Sequence, residues 1–170
     1  MRVTVIRGRA RKFGDDVNTD LIQPGKYLEL TDPVEMARHA MEGADPEFVK
    51  KTKPGDLIVG GRNFGCGSSR ENAPIALKYA GIGAVVAESF ARIFYRNAIN
   101  IGLTALECQG ISEAVREGDI LEVDLSSGVI RNLNSNVALK FAPMPAFMLE
   151  IFKAGGLVEY LKSHMDEWMR

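Results

Sequence analysis

With 170 residues and a net charge of −1, the chain is long enough for one domain with a sizeable core and has no basic footprint for nucleic acid or an anionic membrane. Its charged fraction of 25% and apolar fraction of 46% are those of an ordinary globular protein, and no apolar stretch nears the roughly 20 residues of a spanning helix. The opening M-R-V-T-V-I-R-G-R alternates like a strand and lacks a signal peptide's apolar core, so the cytoplasm is the expected compartment.

In chain order, Val3 to Arg9 reads as a first strand, and Phe13 to Asp20 is rich in turn formers. Pro24 to Leu30 reads as a loop. Asp32 to Met41 reads as a helix with Asp32 as cap and Pro33 in its first position. A second short, charged helix is expected within Gly43 to Lys53, then a Pro54-Gly55-Asp56 turn. Leu57, Ile58 and Val59 form an apolar run typical of a buried strand. After a glycine loop comes a helix ending near Tyr79, then a strand Ala84 to Ala87, a helix Phe90 to Asn100 and a strand Leu103 to Glu107. Arg92 and Arg96 are four apart and share a helix face, turned either to the glycine loop or partner, or to solvent. Asp119 to Asp124 and Gly128 to Leu133 read as a hairpin. Ala146 to Ala154 and Leu157 to Trp168 are helical, broken by Gly155-Gly156. The β-loop-α-β-α-β order predicts an α/β fold with a partly parallel sheet and helices against it. No repeat or linker divides the chain.

The segment V-G-G-R-N-F-G-C-G-S-S-R-E-N-A-P-I-A, from Val59 to Ala76, is where chemistry is expected. Gly60, Gly61, Gly65 and Gly67 allow positive φ and close backbone approach, and Ser68 or Ser69 stands where a helix cap would stand. A helix N-terminus suits anions, and Arg70 adds a fork that grips a carboxylate at two points. Two familiar glycine loops fail. The phosphate-binding pattern needs lysine where Cys66 stands, and the dinucleotide fingerprint needs a third glycine where Arg70 stands. A capped glycine turn without ligand would explain the glycines but leaves Ser68, Ser69, Arg70 and Glu71 without a reason.

The two cysteines, Cys66 and Cys108, and two histidines, His39 and His164, have no metal-ligand spacing. Cys108 follows an apolar run and reads as a buried thiol. Cys66 lies in the glycine loop, but one thiolate does not hold an iron–sulfur cluster.

G-C-G-S-S-R-E-N-A, the later A-E-S-F-A-R-I-F-Y-R-N-A-I-N-I-G-L (Ala87 to Leu103) and the earlier F-G-D-D-V-N-T-D-L-I-Q-P-G-K-Y-L (Phe13 to Leu28) together resemble the swivel domain of the aconitase superfamily. The resemblance is closer still to the separate small subunits of 3-isopropylmalate dehydratase and homoaconitase. It implies one swivelling β/β/α domain over residues 1–170, with a partly parallel central sheet flanked by helices. It also implies a hydro-lyase that isomerises a hydroxy diacid by dehydration and rehydration. Ser68 matches the catalytic serine. Ser69, Arg70 and Asp20 match substrate-binding positions, although Thr19 and Asp20 also suit a turn that only caps backbone groups. Lys26, Tyr27, Leu28, Glu29 and Leu30 match the loop that selects the variable group. No arginine stands there to meet a third carboxylate, so 3-isopropylmalate is expected, with homocitrate or another alkyl-malate as alternatives. The resemblance further implies that this chain binds no cofactor, that a large partner carries a 4Fe-4S cluster, and that the pair forms a heterodimer or heterotetramer. A dicarboxylate-binding module without catalysis is the reading from a different class.

Overall fold

Strands covered on both faces read as unbroken apolar runs, and such runs form the centre of the fold. In the computed structural model of the chain, which describes residues 4–169, the strands are β1 (Val5–Lys12), β2 (Leu57–Gly60), β3 (Ala84–Ala87), β4 (Ala105–Glu107), β5 (Ile120–Asp124), β6 (Val129–Asn132) and β7 (Val137–Lys140). The helices are α1 (Thr19–Ile22), α2 (Pro33–Ala37), α3 (Phe48–Lys51), α4 (Asn72–Tyr79), α5 (Arg92–Ile101), α6 (Ile111–Ala114), α7 (Ala146–Ala154), α8 (Leu157–Ser163) and α9 (Met165–Trp168). The start of the expected first strand, Val3, lies outside the described residues. No described helix is long and apolar enough to cross a membrane.

One seven-stranded sheet runs in the order β4-β3-β2-β1-β5-β6-β7. From β1 to β4 the pairing is parallel, with Ala10 opposite Leu57, Leu57 opposite Ala84 and Val85 opposite Ala105. From β1 through β5 and β6 to β7 it is antiparallel. The partly parallel sheet expected from sequence is therefore present, and β1 is the strand where the pairing changes sense. Alternate residues of the parallel strands feed two cores. Ile58, Val85 and Ala87 pack under α1, α4 and α5 with Phe48, Phe64 and Leu77. Leu57, Val59 and Val86 face the other way, toward Ile111, Leu121 and Ile130.

Several boundaries depart from the sequence reading for local reasons. The helix capped by Asp32, whose carboxylate accepts the Val34 N–H at 3.0 Å, stops at Ala37 and continues only as turns to Ala44. β7 was not expected. It is an edge strand, mostly exposed, so burial gives it no alternating pattern. Four-residue α6 was also missed. The carboxylate of Glu88 caps it, accepting the N–H groups of Gly110 and Ser112 at 2.9 Å each. The Gly155-Gly156 break between α7 and α8 is also a contact: a Cβ on Gly102, at the end of α5, would lie 2.7 Å from the Gly155 backbone. Lys78 locks that crossing by donating to the carbonyls of Ile101 and Gly155.

Candidate active site

Because β1, β2 and β3 run parallel, their carboxyl ends share one edge, where ligands gather in open α/β sheets. The loops leaving those ends carry the three segments singled out above. The first is laced to the second by hydrogen bonds: Gly61 N–H to Gly14 O at 2.9 Å, Asp16 N–H to Arg62 O at 2.8 Å, Gly65 N–H to Val17 O at 2.7 Å and Thr19 N–H to Cys66 O at 2.8 Å. Asp15 adds a carboxylate contact to the Arg62 N–H at 2.7 Å. The turn-rich stretch is thus the scaffold of the glycine loop. The third segment joins through Phe64, whose N–H donates to Ser89 O and whose carbonyl accepts from Ala91, both at 3.0 Å. Its ring meets Phe90 and Phe94 edge-on, centroids 5.9 and 5.5 Å away.

Two glycines are required by this packing. Gly65 has φ +83° and a Cβ there would sit 2.1 Å from the Phe94 ring, while Gly67 has φ +112° and a Cβ would approach Thr19 Oγ1 to 2.9 Å. That close approach lets the Ser68 N–H donate to Thr19 Oγ1 at 2.9 Å. Ser68 Oγ in turn accepts the Arg70 N–H at 3.2 Å. This turn replaces the expected serine cap: α4 starts at Asn72, with Glu71 before it and no side chain on its first N–H groups. Pro74 falls in the first turn, where a missing N–H costs nothing.

A cavity of about 320 Å³ opens between the two laced segments, lined by Thr19, Asp20, Gln23, Leu28, Ser68 and Arg70 among others. Asn18 and Asn72 also line it; neither was singled out from sequence, where an asparagine in a turn or at a helix start reads as capping. Among the described residues no carboxylate lies within ion-pair distance of Arg70. Asp20 turns one oxygen to the Gly25 N–H at 2.7 Å, which ties α1 to the following loop. Ser69 does not line this cavity; its carbonyl accepts from the Asn97 amide of α5 at 3.0 Å. A second groove, of about 520 Å³, shares Gly67 and Ser68 with the first and is lined by Arg92 and Arg96, so both arginines face the glycine loop.

The loop Lys26 to Leu30 is divided. Leu28 lines the cavity, Glu29 is exposed, and Leu30 packs against the core under α4. Tyr27 stacks on His39 with ring centroids 3.7 Å apart and donates to Glu42 at 2.7 Å. The His39 Nδ1 meets the other Glu42 oxygen at 2.7 Å, and Lys26 approaches at 3.4 Å. These partners, His39 first and Tyr27 next, hold the Glu42 carboxyl below the usual carboxylate range. The cation of this loop is thereby engaged by Glu42.

Among the described residues no group of three or more His, Cys, Asp or Glu is placed to hold a metal ion. Cys66 is half-buried and Cys108 is enclosed, so the donors present do not fit an iron–sulfur cluster.

A sheet that changes from parallel to antiparallel at its first strand, with a glycine-loop serine and arginine at its carboxyl edge, defines an aconitase-type swivel domain. The family model described as the aconitase C-terminal domain matches residues 12–110. Over 164 residues the chain is 61% identical to the isopropylmalate/citramalate isomerase small subunit of Methanocaldococcus jannaschii, covering 96% of this chain and 98% of that one. It is 60% identical over 158 residues to 3-isopropylmalate dehydratase small subunit 1 of Methanopyrus kandleri, covering 93% of each. The crystal structure of a 3-isopropylmalate dehydratase chain from M. jannaschii superposes with a TM-score of 0.90 at 53% identity, covering 97% of this chain and 98% of that one. The chain belongs to the 3-isopropylmalate dehydratase small-subunit family of aconitase-type domains.

Proposed function

We propose that this chain is the small subunit of a 3-isopropylmalate dehydratase, folded as one domain over residues 1–170 and working in the cytoplasm with a large partner. The observation that carries the reading is the cavity lined by both Ser68, its Oγ bonded by the Arg70 N–H, and an Arg70 that has no carboxylate partner among the described residues. A carboxylate of the substrate completes Arg70. Ser68 then takes the proton from the carbon next to that carboxylate. Serine is a weak base, and the Arg70 N–H, the Arg70 charge and the start of α4 stabilise its alkoxide and the charge that develops on substrate. On rehydration the serine returns the proton to the neighbouring carbon. The hydroxyl end of the reaction is assigned to the partner chain, whose expected iron–sulfur cluster would supply a Lewis acid.

Leu28 in the cavity wall, and a Lys26 drawn to Glu42, favour a branched alkyl substituent over a third carboxylate, which would be costly to bury without a cation. Citramalate-type substrates are the second reading, favoured by the name of the M. jannaschii relative. The test is complementation. The isolated chain is expected to be inactive. Mixed with a reconstituted large subunit, it should turn over 3-isopropylmalate with a higher kcat/KM than homocitrate. Turnover by the chain alone overturns the shared-site reading, and preference for homocitrate overturns the substrate assignment. Tight dicarboxylate binding without turnover in the complex would make the chain a binding module.

A further inference from the structure

One residue of the cavity wall carries a cost that the reaction described so far does not explain. Pro24 forces the preceding residue out of helical geometry, so α1 ends and Gln23 is extended, with φ −135° and ψ 95°. Its backbone N–H is satisfied by Thr19 O at 2.8 Å. Its side chain is not. Gln23 is only 2% exposed, and neither Nε2 nor Oε1 has a hydrogen-bond partner among the described residues. Leaving a buried amide unpaired is expensive, and an aliphatic side chain would avoid the cost. The residue lines the same cavity as Ser68 and Arg70. The last torsion of a glutamine is broad and soft, so its amide can turn to a ligand at little expense.

Resting on the reading of this cavity as a hydroxy-diacid site, we propose that Gln23 is a further substrate-binding residue. Its amide presents a donor and an acceptor side by side. A hydroxy acid presents the complement, a carboxylate oxygen beside a hydroxyl. Nε2–H donates to the carboxylate and Oε1 accepts from the hydroxyl, so the substrate supplies the partners the chain withholds. Gln23 thereby selects hydroxy acids over diacids lacking the hydroxyl.

The experiment has two arms. In the assembled enzyme, Gln23→Leu should raise KM for 3-isopropylmalate about tenfold to a hundredfold, the loss expected for a hydrogen bond to a charged group, with a smaller change in kcat. The same variant should leave the melting temperature of the chain unchanged or higher, because it removes a buried unpaired amide. A KM within twofold of wild type, or a clear fall in melting temperature, overturns the proposal and makes Gln23 a structural residue. The second arm is nuclear magnetic resonance of the labelled complex titrated with malate, following the side-chain N–H signals of Gln23 and Arg70. Movement of both supports the proposal, and movement of Arg70 alone overturns it for Gln23. If neither moves, the site reading itself fails, and the Gln23 proposal fails with it.

Discussion

Ser68 is held from two sides. Its N–H is committed to Thr19 Oγ1, so the residue does not swing with the loop, while its Oγ receives the Arg70 N–H at 3.2 Å. An oxygen that already accepts an N–H holds negative charge more easily than a free hydroxyl. Ser68→Ala keeps the backbone bond to Thr19 and loses only the oxygen. In the assembled enzyme it should lower kcat on the order of a hundredfold or more while circular dichroism and subunit association stay as in wild type. A variant with near-normal kcat would move the base elsewhere. Ser69, whose carbonyl is anchored to Asn97 outside the cavity wall, is the neighbouring hydroxyl to examine next.

At the scale of elements, the loop between α1 and α2 is held by side chains rather than by a ladder. Asp20 takes the Gly25 N–H, and Glu42 takes Tyr27 Oη and His39 Nδ1. A carboxylate only accepts, so Nδ1 of His39 carries the proton in that contact. Since the folded state holds Glu42 below the ordinary range, its contribution is present above the unfolded carboxylate pKa of about 4.3 and is lost as pH falls through the lower folded value. The protection factors of amides in residues 25–30, exchange measured relative to the intrinsic rate at each pH, should therefore be flat from neutral pH down to about 4 and fall below it. Glu42→Gln should reproduce the acid behaviour at pH 7, where unchanged protection would show that the loop is held by packing alone.

For the whole molecule, the chain's two thiols report opposite environments. Cys66 is half-exposed in the glycine loop, whereas Cys108 leaves β4, is 1% exposed, and points toward the Lys140 carbonyl of β7. Burial pushes the Cys108 thiol up to about 11. The unfolded thiol ionises near 8.5, so the folded state keeps a proton that the unfolded state loses. Stability should fall as pH rises from that range toward about 11. An alkylating reagent at pH 8 should modify Cys66 and spare Cys108 until the sheet opens. Labelling of Cys108 in the folded chain at a comparable rate would mean that the parallel and antiparallel halves separate locally.

The sequence by itself determined whatever depends on near neighbours. The apolar run Ala84 to Ala87 is a strand with those bounds, Asp32 caps its helix, and Ala146 to Ala154 is helical up to a glycine break. Three separated blocks also sufficed to place the chain in its family, because each block's residue types are unusual together. Tertiary structure decided what depends on residues far apart. Thr19 lies 49 positions from the Ser68 N–H it receives, and that contact, with the Arg70 bond, moves the start of α4 from the serines to Asn72. Glu88 caps α6 from 22 positions away, and β7 exists only because β6 pairs with it. Lys26 and Tyr27, expected in the loop that selects the variable group, are engaged by Glu42 and His39 and do not line the cavity. The burial of Gln23, a polar residue beside a turn-rich stretch, has no local signature; the residue lines a cavity shared with the glycine loop and the start of α4. A local pattern reports what each segment buries, but a hydrogen bond across 40 or more residues has no local signature until the sheet has brought its ends together.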